Sequence, residues 1–511
     1  MTTPRQLVHA YESGLGFPPS ASADEPDPGA RLAATLPVWA LAAGSVATVA
    51  RAANRFRVAA GLPTAPVRLD PARIAAAFGS ERLFLRDGHA PDIFAELSGF
   101  FRTADGWIRT HANYPHHRDR LAAAVGLPVD ASAAAAAALF ARLTAAEVEE
   151  LAAGHDAIAV RVRTEQEWTS SAPGRAAAVG PLVAIDPPAA VFETTAAEAV
   201  RPLARPVGAG STVDGASGGG DQQGFAVDSG QGPVPDTASR GTPSHPRWHT
   251  SGRANGIRHS ARQPLTTERP LLGIRVLDLT RVLAGPVATR TLALLGADVL
   301  RVDPPWLSEI DWQFRDTCQG KRSTLLDLRT DPAVFAALLA EADVLVTGYR
   351  PGALAAAGVD TADHPGLIHA RVSAWGETGP WGARRGFDSI VQAASGIALI
   401  EGTTDRPGAL PAQALDHGSG YLLAAGVIDA LRLGAEDGRG REVRVALART
   451  ASWLLAAGAR TPNHPSATAP DPAVTVRHGD TRTAAPAFPD HPDYPHPAPA
   501  YGSAVPDWPD H

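Results

Sequence analysis

The clearest pattern of apolar and polar positions lies between residues 270 and 305. Residues 273–279 form a β-branched, apolar run that predicts a buried strand, residues 287–295 predict a helix, and residues 298–303 predict a second strand. The turn at residues 280–286 brings backbone N–H groups to the start of that helix. Because this order is a βαβ unit, we predict a parallel sheet with a ligand site at the end of its first strand.

Short apolar strands continue to alternate with helices after this unit, with strands predicted at residues 343–346, 366–372 and 442–445. Residues 34–200 instead mix helices with a hairpin whose turn is at 103–106. The predicted fold class is therefore α/β. A Rossmann-like, doubly wound parallel sheet domain occupies residues 269–460, and a smaller mixed α+β domain occupies residues 34–200.

Three segments have no apolar periodicity. We predict an N-terminus at residues 1–33 that is flexible beyond a short helix, a disordered linker at 201–268 and a disordered tail at 461–511. The linker is rich in Gly and Ser, and the tail is rich in Pro, His and Asp. Such compositions bury too little apolar surface to offset the chain entropy of ordering.

Composition and charge narrow the class of protein. The net charge of −7, without Arg clusters among aromatics, argues against a nucleic-acid partner. The single cysteine, Cys318, excludes an intrachain disulfide. The apolar stretch 36–53 contains Arg51 and favours a buried helix over a membrane span, and the N-terminus does not have the pattern of a signal peptide. We predict a cytoplasmic protein without a metal site or a membrane partner.

Asp416 is the residue with the clearest candidate chemistry. It precedes a predicted helix whose first turn contains Gly418 and Gly420, and these glycines allow a ligand to approach the backbone. Exposed N–H groups at such a helix start stabilise anions. An Asp at this position is also a common helix cap, and the residues alone favour that interpretation.

An ordered series of motifs resembles the family III CoA-transferases (CaiB/BaiF). This family includes carnitine-CoA and formyl-CoA transferases and the α-methylacyl-CoA racemases. The motifs are the turn at 280–286, the segment 318–328, the turn at 348–352, residues 374–388 and residues 415–420. The resemblance implies a homodimer that uses acyl-CoA and a free carboxylic acid as substrates, with no tightly bound cofactor. It also implies that Asp416 is a carboxylate nucleophile.

The implied reaction is CoA transfer through Asp416. Attack on an acyl-CoA thioester gives a mixed anhydride and CoA thiolate, which returns to form an aspartyl-CoA thioester, and the acceptor acid repeats the exchange. An Asp near its ordinary pKa of about 3.9 is ionised at neutral pH and needs no base. Backbone N–H groups near Gly418 and in the turn Val282–Gly285 are predicted to stabilise the oxyanions. Val282, Leu283 and Ala284 of this turn are also predicted to bind CoA.

The resemblance also implies a CoA site. The nucleotide end is expected beside Lys321 and Arg322, and the adenine beside the turn of Gly348, Tyr349 and Arg350. Three positions depart from the family pattern. Leu283 stands where the formyl-CoA transferases have Gln, Ala356 stands where an Arg often holds phosphate, and Phe387 stands where racemases have His. Arg385 is a candidate to replace the missing phosphate ligand.

Two questions stay open at this stage. The alternatives to a transferase are an acyl-CoA epimerase, racemase, lyase or hydrolase on the same fold, and a degenerate CoA-binding scaffold subunit. Residues 34–200 also resemble the later half of the family, although here they precede the Rossmann-like part. That segment is either a permuted half or a degenerate second copy.

Overall fold

A computed structural model describes residues 2–21, 23–187, 264–349, 352–356, 358–361, 363–458 and 460–509. Most of the predicted linker, and Arg350, lie outside these residues. The helices are α1 (Pro4–Gly14), α2 (Val38–Ala59), α3 (Pro71–Phe78), α4 (Ser80–Leu83), α5 (Pro115–Val125), α6 (Ala133–Phe140), α7 (Ala145–Gly154), α8 (Glu165–Ser170), α9 (Ala172–Ala178), α10 (Ala284–Leu294), α11 (Asp311–Thr317), α12 (Pro332–Glu341), α13 (Ala353–Ala356), α14 (Asp388–Ala394), α15 (Ile397–Ile400), α16 (Ala414–Asp437) and α17 (Leu447–Ala456). The strands are β1 (Leu85–Arg86), β2 (Phe100–Arg102), β3 (Trp107–Thr110), β4 (Ala159–Arg161), β5 (Ala184–Asp186), β6 (Arg275–Leu279), β7 (Asp298–Asp303), β8 (Arg322–Leu325), β9 (Val344–Thr347), β10 (Ile368–Ser373), β11 (Arg441–Ala446), β12 (Thr475–His478) and β13 (Thr481–Ala484).

The main sheet has seven strands in the order β5-β11-β10-β9-β6-β7-β8. Each pair of adjacent strands in this sheet is parallel, except that β5 pairs antiparallel with β11. Counted from β6, the parallel strands have the doubly wound order 3-2-1-4-5-6. The predicted α/β fold class is confirmed. The strand order reverses between β6 and β9, so a ligand crevice is expected at their carboxyl ends.

The strand sequences explain why both faces of this sheet are covered. All four residues of β9 are buried, as is typical of a parallel strand between two helix layers. Val276 and Val344 pack on the side of α10 and α16, whereas Leu277 and Leu345 pack against α12 on the other side. Because successive side chains along a strand point to opposite faces, each strand contributes to two separate apolar layers.

The N-terminal part contributes to the same core. Leu7 and Tyr11 of α1 are buried, so the short helix expected in the N-terminal segment is present and packed. Their one-turn spacing gives α1 an apolar face that packs on α2. Helix α2 packs in turn on α16. Residues 2–187 and 269–460 therefore share one hydrophobic core, and the proposed domain boundaries stay predictions.

A second, smaller apolar cluster confirms the mixed α+β part. It surrounds the antiparallel sheet β2-β3-β4 and includes Phe101, Ile108 and Phe140. The predicted hairpin turn is present, because the Thr103 N–H donates to the Gly106 carbonyl at 3.0 Å. The described residues contain no helix long and apolar enough to cross a membrane.

The predicted disordered tail at 461–511 is wrong for residues 461–509. Strands β12 and β13 pair with each other, and β13 pairs with β1. Phe488, Tyr494 and Trp508 are buried. Aromatic side chains spaced without periodicity can still fill gaps in an existing core, which is why a periodicity argument missed this segment.

Candidate active site

A cavity of about 380 Å³ opens at the carboxyl ends of β6, β9 and β10, where the strand order reverses. Three segments at these strand ends contribute to its walls. Residues 279–285 run from the last residue of β6 through the following turn, residues 348–349 follow β9, and residues 372–375 include the last two residues of β10. The remaining lining comes from Tyr114, His116 and His117, residues 384–387, Leu307, Gly382, Asp416 and Leu447. The first turn and Asp416, which are far apart in sequence, therefore line a single cavity.

The turn after β6 is held by a buried carboxylate. Val282 has a φ of +71°, which is costly for a β-branched residue. Its N–H donates to Glu309 Oε2 at 3.0 Å, and Arg301 donates to the same oxygen at 3.0 Å. The Tyr114 hydroxyl donates to Glu309 Oε1. Because the Val282 N–H is already bound, its predicted role as an oxyanion donor is wrong.

The next three amides are available to a ligand. In the described chain, no acceptor takes a hydrogen bond from the N–H groups of Leu283, Ala284 or Gly285. They form the start of α10, where partial positive charge favours anions. A Cβ on Gly285 would lie 2.3 Å from the Thr280 Cβ, so the tight turn depends on this glycine. The hydrogen-bond geometry favours the prediction for Leu283 and Ala284.

Asp416 lies inside α16 rather than before it. The helix begins at Ala414, because Asp388 Oδ2 accepts the amides of Leu415 at 2.8 Å and Asp416 at 3.0 Å. The cap therefore comes from α14 instead of from a neighbour in sequence. Asp416 is 4% exposed and lines the cavity, and its Oδ2 has no hydrogen-bond partner among the described residues. Its side chain is not the helix cap that the residues alone favoured.

The charge state of Asp416 differs from the prediction. Burial, and then the neighbouring Asp388 carboxylate, raise the pKa of Asp416 well above its ordinary value. Burial also raises the pKa of Asp388 to about 6, although the amides of Asp416 and Leu415 and the Gln392 side chain oppose this rise. The expectation of an ordinary, fully ionised Asp is therefore wrong. The ionised nucleophile needs a higher pH than an exposed Asp would.

Gly418 does not offer its N–H to the cavity. It is the fifth residue of α16, past the first turn of unpaired amides. A Cβ at this position would lie 3.0 Å from the Leu41 side chain of α2. The predicted catalytic role of Gly418 is therefore wrong, and the residue serves the close packing of two helices.

Lys321 is a structural residue. Its ammonium is buried and donates to Asp278 Oδ2 at 2.9 Å, Thr289 Oγ1 at 2.6 Å and the Pro286 carbonyl at 3.0 Å. These three bonds use its full donor capacity. Burial lowers the pKa of Lys321, and Asp278 opposes this effect. Lys321 joins β6 to α10 beneath the turn, so its predicted contact with CoA is wrong.

Arg322 is also committed elsewhere. Its guanidinium donates to both oxygens of Asp298, at 3.1 and 3.2 Å, and to the Asp507 carbonyl at 2.9 Å. Asp298 begins β7, at the end of the strand opposite the cavity. Since Arg322 does not line the cavity, its predicted contact with CoA is wrong as well.

Three other predicted positions do line the cavity. Gly348 and Tyr349 follow β9 directly, and Tyr349 is 39% exposed. Arg385 lines the same cavity and donates to Asp156 Oδ2 at 3.1 Å. Their positions agree with the predicted CoA contacts, which remain predictions.

The sequence reasoning missed a group of histidines from the N-terminal part. His116 and His117 line the cavity, and the His111 ring stacks on Phe387 at 3.9 Å. Phe387 is the position where the family's racemases carry a His, so imidazoles approach this point from another segment. The sequence segment 111–117, with three His and one Tyr, was the only available signal.

Comparisons with known proteins show similarity over part of the chain. Residues 271–488 match the sequence model of CoA-transferase family III. The chain is 35% identical over 208 residues to a probable fatty acyl-CoA transferase of Mycobacterium tuberculosis, covering 37% of this chain and 53% of that protein. It is 33% identical over 207 residues to the alpha subunit of a succinyl-CoA–L-malate CoA-transferase of Chloroflexus aurantiacus, covering 35% and 46%.

Solved structures are also similar over part of the chain. A Mycobacterium tuberculosis protein shares 35% identity, covering 37% of this chain and 56% of its own, with a TM-score of 0.35. A CaiB/BaiF family protein from Brucella suis shares 27% identity, covering 43% of this chain and 66% of its own, with a TM-score of 0.34. The chain spans about half the length of the curated relatives it matches.

Proposed function

We propose that this chain transfers CoA between an acyl-CoA and a free carboxylic acid, with Asp416 as the covalent carrier. Residues 271–488 match the sequence model of CoA-transferase family III, which supports this class of reaction. The observation that carries the proposal is the position of Asp416. It lines the cavity at the sheet's switch point, together with the residues that begin α10 and whose amides are unpaired among the described residues. The named relatives that act as CoA-transferases support the same class of reaction.

In the proposed reaction the ionised Asp416 attacks the thioester carbonyl carbon. A carbon–oxygen bond forms, the carbon–sulfur bond breaks, and the electron pair leaves on the CoA sulfur. The thiolate then attacks the Asp416 carbonyl of the mixed anhydride and releases the free acid, which leaves an aspartyl-CoA thioester. The acceptor carboxylate reverses both steps. No net proton is gained or lost.

The cavity walls support these steps in two ways. The N–H groups of Leu283, Ala284 and Gly285 can donate to the developing oxyanion, a contribution that typically accelerates reactions by about 10²–10³-fold per donor. Apolar side chains including Leu279, Leu307 and Val372 exclude water that would hydrolyse the anhydride. We propose that Tyr349 and Arg385 contact CoA itself.

The test is to trap the intermediate. The purified protein is incubated with acetyl-CoA and succinyl-CoA and a panel of free acids, then treated with hydroxylamine, and the peptide containing Asp416 is examined by mass spectrometry. We expect a hydroxamate at Asp416, and a loss of transfer of about 10⁴-fold or more in Asp416→Asn. Asp437→Asn, an exposed position in the same helix, is the control and should keep wild-type activity.

Two other outcomes would redirect the assignment. CoA binding without an adduct at Asp416 would favour a degenerate CoA-binding scaffold. Exchange of the α-proton of an acyl-CoA with deuterium from the solvent would favour an epimerase, which is the second candidate because His116 places an imidazole in the cavity with Asp416.

A homodimer and a cytoplasmic location are the remaining parts of the proposal. Light scattering of the purified chain measures the first, and cell fractionation measures the second. A monomer that is fully active would contradict the homodimer.

A further inference from the structure

The first turn of α5 places the imidazole of His117 at the cavity, and this side chain has no role in the reaction as proposed for Asp416. His117 is the third residue of this helix and is 4% exposed. The backbone N–H of His117 donates to the Tyr114 carbonyl at 2.9 Å, and the Tyr114 hydroxyl donates to Glu309. Glu309 also binds the Val282 amide, so one buried carboxylate fixes both the first turn and the segment carrying His117.

Aromatic rings surround the imidazole of His117. The ring centroids of Tyr114, His116 and Phe387 lie 5.2, 4.1 and 5.7 Å from that of His117. Its Nδ1 is buried and has no hydrogen-bond partner among the described residues. Since Nδ1 is buried and His117 lines the cavity, Nε2 is the ring nitrogen left to reach a cavity ligand. A polar side chain that is buried without a partner costs about 1–3 kcal/mol, so it calls for an explanation.

The charge state of this imidazole decides what it can do. Burial, and then the neighbouring His116, His111 and two arginines, lower the pKa of His117 to about 2. The ring is therefore neutral at any working pH and is a poor proton acceptor. A neutral imidazole can still donate a hydrogen bond through the nitrogen that carries its proton.

We propose that His117 is a catalytic residue of the CoA transfer, donating a hydrogen bond from Nε2 to the thioester carbonyl oxygen as Asp416 attacks. This proposal rests on the proposed function and adds one residue to it. The hydrogen bond strengthens as negative charge develops on that oxygen, and the proton stays on the imidazole throughout. His117 thus supplies a side-chain donor to a cavity in which the side chain of Leu283 cannot hydrogen-bond.

The first experiment compares two substitutions with different reach. In His117→Gln the amide nitrogen can occupy the position of Nε2, whereas in His117→Asn it reaches only as far as Nδ1. Single-turnover formation of the Asp416 adduct from acetyl-CoA should fall about 10²–10³-fold in His117→Asn and less than about tenfold in His117→Gln. CoA affinity should change little in either variant. His9→Asn, an exposed histidine in α1, is the control.

The second experiment needs no chemistry at Asp416. It measures binding of a ketone analogue of acetyl-CoA, in which a methylene group replaces the sulfur, and of the same analogue with its carbonyl reduced to a methylene group. Wild type should bind the ketone about threefold to tenfold more tightly, and this preference should fall in His117→Asn to the part that the amides at the start of α10 supply. An equal preference in wild type and His117→Asn would overturn the proposal.

The two proposals fail in different ways. Absence of the Asp416 adduct in wild type, with the ketone preference intact, removes the proposed function but leaves the hydrogen bond from His117. An adduct that forms equally fast in wild type and His117→Asn removes the role of His117 and leaves the proposed function. If the rate of adduct formation falls equally in His117→Asn and His117→Gln, the ring only fills space. That result would also overturn the proposed role of His117.

Discussion

Two carboxyl groups, Asp388 and Asp416, meet at the start of α16, and only one of them faces the cavity. Asp388 is fully buried, and its Oδ1 accepts from the Gln392 amide while its Oδ2 holds the first turn of α16. Gln392 in turn accepts the Leu410 amide at 2.9 Å. Asp388 is thus a positioning residue whose charge also acts on Asp416.

Removing that charge should change the pH dependence of the reaction. Burial and the Asp388 carboxylate both favour the protonated form of Asp416. In Asp388→Asn the side-chain oxygen can still accept the two amides, but the negative charge is gone, so the pKa of Asp416 falls. The acidic limb of the pH profile for adduct formation should therefore move to lower pH, measured by hydroxylamine trapping between pH 5 and 9.

Asp405→Asn is the control for this shift, because Asp405 is 89% exposed in its pair with Arg102. Its profile should match that of wild type. An acidic limb that stays in place or moves to higher pH in Asp388→Asn would contradict the coupling between the two carboxyl groups.

Individual residues were predictable where a local motif fixes the backbone. Leu283, Gly348 and Tyr349 lie at the cavity because they directly follow strands of a parallel sheet. Lys321 was misassigned, because its neighbours Asp278 and Thr289 are brought to it by folding alone. The role of His117 depends on contacts with Phe387 and Glu309 through Tyr114, which no sequence pattern reports.

At the scale of elements, the crossing of α10 and α16 sets the distance between the first turn and Asp416. Gly420 lies at this crossing, where an added Cβ would meet the Ala284 carbonyl oxygen at 2.5 Å and Val287 Cβ at 3.0 Å. A backbone oxygen cannot rotate away from such a contact, so the helices would have to separate.

Gly420→Ala should therefore destabilise the protein by about 1–3 kcal/mol, despite the better helix propensity of Ala. Urea unfolding measures this effect. Gly154→Ala at the end of α7 is the matched control, since a Cβ there meets nothing within 4 Å, and it should stabilise by about 0.4–1 kcal/mol. Equal effects of the two substitutions would contradict the close crossing.

Most elements with a strong period were predictable, and their exact limits were not. The βαβ unit, the later strands and the hairpin at 100–110 occur as expected. The start of α16 at Ala414 was missed because its cap, Asp388, belongs to another helix. Strand β5 has three residues and is recognised only through its pairing with β11.

At the scale of the whole molecule, an ion pair joins the N-terminal helices to α16. Asp429 of α16 is fully buried and accepts from Arg55 Nε at 2.8 Å, from a terminal nitrogen of Arg55 at 2.7 Å and from the Tyr11 hydroxyl at 2.7 Å. Arg55 belongs to α2 and Tyr11 to α1. Three helices from both parts of the chain therefore depend on one carboxylate.

Asp429→Asn should lower the free energy of unfolding by about 2–4 kcal/mol, because a partly buried guanidinium loses its main counter-charge. Asp437→Asn in the same helix removes an exposed pair with Arg441 and should cost at most about 1 kcal/mol. Both variants are compared by urea unfolding. A separate early transition of the N-terminal part in wild type would contradict a single cooperative unit.

The shared core bears on the order of the two parts. Residues 2–187 supply α1, α2 and β5 to the core and sheet of the C-terminal part, and they supply His117 to its cavity. We propose that this segment is a permuted half rather than a degenerate second copy, since its contacts complete the other part. Adduct formation that survives removal of residues 2–187 would contradict this proposal.

The pairing of β5 with β11, and of β1 with β13, has a consequence for how the protein is made. On the ribosome, α2 and β5 emerge long before the strands and helices that cover them. The nascent chain therefore carries an uncovered apolar helix through most of translation. Contacts between segments so far apart in sequence form slowly, so we expect folding to finish after the chain is released from the ribosome. We also expect chaperones to shield α2 until α16 has been synthesised.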